Sequence, residues 1–128
     1  MYKRALITGT VTACLAVILG AMGSHAIRDL VTPETLAIYK TGVEYQFYHS
    51  FALIAAGILY SAFPVKQVKL AGTFFLTGII LFSGSLYLLT YLKTTGGNFG
   101  PFGLLTPLGG VCFIVGWLLL LVGLLKKQ

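Results

Sequence analysis

Residues 70–92, LAGTFFLTGIILFSGSLYLLTYL, hold no Lys, Arg, Asp or Glu, and Lys69 and Lys93 close the run at either end. A helix needs about 20 predominantly apolar residues to cross a bilayer, and this stretch supplies them. Working outward, residues 5–27 and 45–65 are also free of charge, as are 94–125, the last run opening with a glycine-rich segment. The pattern predicts an all-α polytopic membrane protein, an up-down-up-down bundle of four transmembrane helices. The expected spans are about 5–27, 44–64, 70–92 and 106–125, in one domain over residues 1–128.

Composition points the same way. Of the 128 residues, 57% are hydrophobic and 9% charged, whereas soluble domains are about a quarter charged. So little polar surface excludes a soluble enzyme, a disordered tail and a nucleic-acid-binding domain. Nine basic residues against three acidic ones leave a net charge of +6. The basic residues flank apolar runs, where they meet head groups and set orientation. With four spans, Lys3, Arg4, Lys66, Lys69, Lys126 and Lys127 share one side, and Arg28, Lys40 and Lys93 the other. The richer side is cytoplasmic, so both termini are expected there, in a multi-pass cell-membrane protein. Lys3-Arg4 before an apolar run resembles a signal peptide, but residues 5–27 exceed an ordinary signal core of about 7–15 residues, and the first helix is expected to be retained. Cys14 and Cys112 sit singly in apolar runs and read as small packing residues, not as a redox pair or metal knuckle.

The loop after the first span carries a helix start. Thr32-Pro33-Glu34-Thr35 supplies an N-cap, a proline at the first helical position and an acid in the first turn. Leu36, Tyr39, Val43 and Phe47 form an apolar stripe, with Lys40 and Glu44 spaced as an i,i+4 pair. A short amphipathic outer helix is expected before the second span, bent at Gly42 or continuous with that span. Gly109, Gly116 and Gly123 line one side of the fourth span, and Gly9, Ala13, Ala16 and Gly20 one side of the first. Small residues let membrane helices approach closely, so both stripes are expected at helix contacts.

The candidate site lies at the start of the second span, in Glu44-Tyr45-Gln46-Phe47-Tyr48-His49-Ser50. Ionisable groups at membrane depth are costly and are functional candidates by default. Tyr45 and His49 share a helical face, Glu44 and Tyr48 lie beside it, and Gln46 is expected to point away. His25 ends the first span at what reads as the same outer depth. Ser83 and Tyr87 of the third span are expected to approach from beneath, completing a small polar pocket under the loop that contains Phe99 and Phe102. Glu44 and His49 are expected to share a proton in it. The plainer reading is that these groups bond to backbone, head groups or neighbouring helices. No nucleophile–base pair, metal-ligand spacing or nucleotide-binding glycine motif stands out, so no catalytic residue, metal or cofactor is expected.

Four segments carry a resemblance: Gly20-Ala21-Met22-Gly23-Ser24-His25-Ala26, Val43 through His49, Phe82-Ser83-Gly84-Ser85-Leu86-Tyr87, and Thr106-Pro107-Leu108-Gly109-Gly110 running on to Gly116-Trp117. In this order and spacing they resemble the YgdD/YwdK-like family of small four-helix membrane proteins, a domain of unknown function. Met22, Ser24 and Glu44 depart from its pattern. The resemblance implies four spans in a bacterial-type or organellar inner membrane and supplies no activity. The functional expectation is therefore a non-enzymatic inner-membrane protein whose outward polar cluster supports a partner protein, a lipid or a small ligand. Its partners would be the bilayer and a membrane protein or a second copy of itself, not nucleic acid. The alternatives are a small oligomeric transporter or channel using Glu44 and His49, and a haem- or quinone-associated electron-transfer subunit using His25 and His49.

Overall fold

The computed structural model describes residues 1–126; Lys127, counted above among the basic flanks, lies outside the described residues. Among the described residues the chain is helical throughout, with no strand. Helix α1 spans Lys3–Ile27, its last turn, Gly23–Ile27, widening to π geometry. Helix α2 spans Pro33–Leu59, α3 spans Lys66–Thr95 with a π segment at Ile79–Ser83, and α4 spans Leu105–Leu125 behind a 3-10 turn at Gly100–Phe102.

Local chemistry sets the boundaries. The Thr32 side chain accepts a hydrogen bond from the Thr35 N–H at 3.3 Å, and Pro33 occupies the first turn, as an N-cap with a following proline should. α2 stops at Leu59 and the chain turns through Tyr60–Phe63, short of the expected end at 64. Pro64 lacks an N–H and disfavours helical geometry at Phe63. α3 ends at Gly96, whose φ of 73° is left-handed, while the Gly97 N–H bonds to the Leu92 carbonyl at 2.9 Å. That is the hydrogen bond of a Schellman terminus.

Successive helices run antiparallel. Tyr2 N–H bonds to the Gly57 carbonyl and Gln46 to the Thr12 carbonyl, pairing α1 with α2. Ser83 bonds to the Gly42 carbonyl, pairing α3 with α2, and the close approaches of Gly109 to Phe82 and Gly123 to Val68 pair α4 with α3. α1 packs chiefly on α2 and α4 chiefly on α3, so α2 and α3 hold the middle. Ala5, Leu53, Val68, Ala71, Phe75 and Phe113 anchor the core. Both glycine stripes lie at these contacts: Gly109, Gly116 and Gly123 are buried, as are Gly9 and Ala16, with Ala13 and Gly20 half-buried.

The outer faces are apolar. Val11, Val17 and Ile18 of α1 and Val111, Leu118 and Leu121 of α4 are each about half exposed. Continuous apolar surface of this extent belongs in lipid. Three helical stretches, Lys3–Ile27, Lys66–Thr95 and Gly100–Leu125, are long and apolar enough to cross a membrane. α2 is as long but carries Glu44, Gln46, His49 and Ser50 near its centre.

Of the two forms expected for the segment before the second span, the structure has the continuous one: it is the first half of an unbroken α2. Gly42 is no bend: it is buried, and a Cβ there would meet the Tyr87 ring and Leu86 of α3, so the small residue serves close approach. Lys40 and Glu44 are both exposed and unpaired with each other; among the described residues the one ion pair is Arg28–Asp29 at 3.5 Å. Cys14 is exposed on α1, not packed, and Cys112 is half-buried; both are free thiols.

Candidate functional site

Two polar features lie inside the helices, on adjoining parts of the buried face of α2. The first joins α1, α2 and α3. Gln46, 4% exposed, donates from Nε2 to the Thr12 carbonyl at 2.8 Å and accepts from the Tyr87 hydroxyl at Oε1 at 2.7 Å. One helical turn further on, Ser50 Oγ lies 2.7 Å from the Gln46 carbonyl oxygen and 2.8 Å from Thr12 Oγ1. Ser83 donates to the Gly42 carbonyl at 2.6 Å, and the Tyr39 hydroxyl donates to the Leu19 carbonyl. Hydroxyls and amides at membrane depth bond to backbone or to neighbouring helices, and these side chains do so.

The second feature is a groove of about 520 Å³ where α2, α3 and α4 meet. Tyr45, His49, Phe82, Phe113 and Trp117 form its aromatic walls, with Pro107, Gly110, Val111 and Ile114 along α4. It opens on the apolar outer face, since Val111, Ile114 and Trp117 are 55%, 60% and 48% exposed. Among the described residues no charged side chain lines it. Phe82 reaches the groove from the π segment of α3, and such turns re-aim side chains, frequently at functional sites.

His49 is the buried polar wall, 5% exposed. Its ring stacks on Phe113 with centroids 3.5 Å apart and planes 10° from parallel. Nδ1 lies 2.8 Å from the Tyr45 carbonyl oxygen, and Trp117 Nε1–H donates to Nε2 at 3.2 Å. A carbonyl only accepts and an indole N–H only donates. The partners therefore assign the neutral Nδ1–H tautomer, with the Nε2 lone pair directed at Trp117 on the groove wall.

The sequence-predicted residues are dispersed. Tyr45 and His49 share the groove, with Tyr45 against Phe82 at a centroid distance of 4.7 Å. Ser83 and Tyr87 belong to the other cluster, bonded to the Gly42 carbonyl and to Gln46. Glu44 is exposed, Tyr48 is 56% exposed, and His49 bonds to Tyr45 and Trp117, not to Glu44. His25 is exposed and at another level. Gly20 of α1 packs against Val43 of α2, which places His25 above that contact and His49 below it, about 16 Å apart along the axis at about 1.5 Å per residue. Phe99 and Phe102 do not line the groove.

Sequence reasoning quoted Gln46 and Ser50 within the candidate stretch but turned Gln46 away from the bundle, and it missed Thr12 and Trp117. Gln46 faces inward because α2 buries Thr35, Tyr39, Gly42, Gln46, His49, Leu53 and Ala56. That stripe at spacings of three and four was visible once α2 is counted from Pro33. Trp117 carried no polar signal inside an apolar run.

A family model described as a protein of unknown function, DUF423, matches residues 19–110. Membrane protein YwdK of Bacillus subtilis, of the group UPF0382, is 37% identical over 125 residues, covering 97% of this chain and 98% of its own. UPF0382 membrane proteins of Staphylococcus saprophyticus and Staphylococcus aureus (strain bovine RF122) are each 36% identical, with 97% of this chain covered and 98% and 97% of theirs. No solved structure matches the chain.

Proposed function

Given that the chain belongs to the DUF423 family of membrane proteins, we propose that it is a non-enzymatic protein of a bacterial-type inner membrane that binds a small apolar molecule in the groove between α2, α3 and α4. All four helices cross the bilayer as an up-down-up-down bundle, with both termini cytoplasmic. Antiparallel pairing of α2 with α1 and α3 supports the second span: its polar centre is shielded by helices rather than held in water.

The observation that carries the binding reading is a buried histidine on the wall of a charge-free aromatic groove that opens sideways toward lipid. Its volume of about 520 Å³ falls within the range of small-molecule sites, about 300–1,000 Å³. A transport role through Glu44 and His49 has weaker support, because Glu44 is exposed and His49 bonds elsewhere. A haem shared by His25 and His49 is opposed by their axial offset.

Gly110 offers the direct test. The nearest atom to a Cβ there is Phe82 Cδ2 at 3.9 Å, an ordinary contact, and Gly110 lines the groove, so Gly110→Leu fills part of that space. Organic extraction and mass spectrometry of purified parent protein should find a bound apolar molecule that is absent from the variant. Identical extracts from the two proteins would overturn the proposal.

A further inference from the structure

We infer that the groove selects a ring-bearing apolar molecule that carries a hydroxyl, a phenol-type lipid-soluble ligand, over the corresponding ether or ketone. The inference rests on the groove-binding reading above and adds the chemistry of the ligand.

The hydrogen-bond partners of His49 decide the polarity of the site. Nδ1–H is committed to the Tyr45 carbonyl, so Nε2 can only accept. Beside it, Trp117 Nε1–H can only donate, and the bond between them, 3.2 Å, is at the long end of the normal range. Trp117 is half exposed on the lipid-facing side, which leaves its ring room to turn. A hydroxyl entering between the two donates to Nε2 and accepts from Nε1–H, replacing one bond with two. A ketone or quinone carbonyl only accepts: it can pair with Trp117 but sets a lone pair against the Nε2 lone pair. An ether has the same defect. A charged head group has no counter-charge, because the lining residues are uncharged, and an uncompensated charge there is costly.

The walls set the rest of the ligand. Tyr45, Phe82 and Phe113 present ring faces and edges, with Tyr45–Phe82 at 4.7 Å and Phe82–Phe113 at 5.5 Å between centroids. Aromatic pairs gain beyond area burial at such separations, which favours a ring over a straight chain near His49. The apolar tail runs past Val111 and Ile114 into lipid, since both are more than half exposed.

Trp117 is the only tryptophan of the chain, so its emission reports on the groove. The full chain in lipid nanodiscs is titrated with para-octylphenol, with its methyl ether and with para-octylacetophenone. The phenol should bind at least about fivefold tighter than the ether, the factor expected of one net hydrogen bond, and the ketone no tighter than the ether. His49→Phe keeps the stack on Phe113 and removes the acceptor, so the phenol and ether affinities should converge. Equal affinities for phenol and ether in the parent, or a preference that survives in His49→Phe, would overturn the hydroxyl inference and leave groove binding standing. Failure of every probe to bind, or unchanged binding in Gly110→Leu, would overturn groove binding itself. Should His49→Phe not fold, the comparison of the three probes on the parent decides alone.

Discussion

Replacing Gly116 by alanine tests whether the glycine stripe of α4 is an interface or a lipid-facing seam. An ideal Cβ at 116 would stand 2.7 Å from both Cδ1 and Cε1 of Phe75 and 3.4 Å from the Ala71 carbonyl oxygen. Carbon atoms rest about 3.5–4.0 Å apart, so the ring or the helix must give way. Phe75 has little room to do so: it is 0% exposed, with ring centroids 5.8 Å from His49 and 4.9 Å from Trp117. Overpacking of this kind costs about 1–3 kcal/mol, while alanine gains up to ~1 kcal/mol over glycine inside a helix. Gly84 separates the two effects, because beyond its chain neighbours and its own helix backbone no atom lies within 4 Å of its ideal Cβ. Gly84→Ala should keep the propensity gain, and Gly116→Ala should fall below it by about 1–3 kcal/mol. Gly116→Leu should force the helices apart and fall further. Thermal unfolding in detergent, followed by far-UV circular dichroism, reads all three. Equal stability of the two alanine variants, or a leucine variant that melts with the parent, would show that α4 does not pack here.

Other expectations follow from the polar network and the topology. Gln46→Leu strands the Tyr87 hydroxyl and withdraws the donor to Thr12; with membrane side-chain hydrogen bonds worth about 0.6–1.7 kcal/mol each, the loss should be about 1–3 kcal/mol by unfolding in detergent. Tyr87→Phe should cost about 0.6–1.7 kcal/mol alone and clearly less when added to Gln46→Leu, because the two share one bond; full additivity would deny the contact. With Cys14 and Cys112 replaced by serine, Ser61→Cys in the turn before α3 should resist impermeant thiol reagents on intact cells, and Asn98→Cys should react. The reverse labelling pattern would invert the topology.

Much of the fold was legible because its signals are local. The charge-free runs and the Thr32-Pro33 start act within the chain's own turns, and helices begin by them. Pro64 and Gly96 are as local, yet the expected spans run to 64 and 92, past the stop at Leu59 and short of the one at Thr95. The π segment at Ile79–Ser83 had no such mark. The contacts that accompany it come from other helices: Ser83 reaching the Gly42 carbonyl, and Gly109 against the Phe82 backbone. Spacing within residues 79–83 cannot report them.

The site was half legible for the same reason. His49 and Tyr45 stood out because polar groups are rare in an apolar run, but Phe82, Phe113 and Trp117 look like any other lipid-compatible residues until α3 and α4 bring them alongside. Depth was misjudged through one boundary. Reading the second span from residue 44 put His49 near a helix end, where imidazole can reach water; starting α2 at Pro33 puts it past the helix midpoint, level with the Thr12 turn of α1. The shift changes its chemistry. At an interface His49 could exchange protons with Glu44 or a head group, whereas on the buried wall its nitrogens are held by a carbonyl and an indole N–H. The same shift explains why α2, rich in polar groups, is one of the two helices packed on both sides. Gln46 faces α1 and α3 while His49 faces α4, so each polar group buried in α2 finds a partner on a neighbour or on its own backbone. The difference lies in how the partners are held. Gln46 is enclosed between helices, whereas the Trp117 that covers His49 stands at the lipid boundary, and only there can an incoming molecule replace the partner without separating two helices.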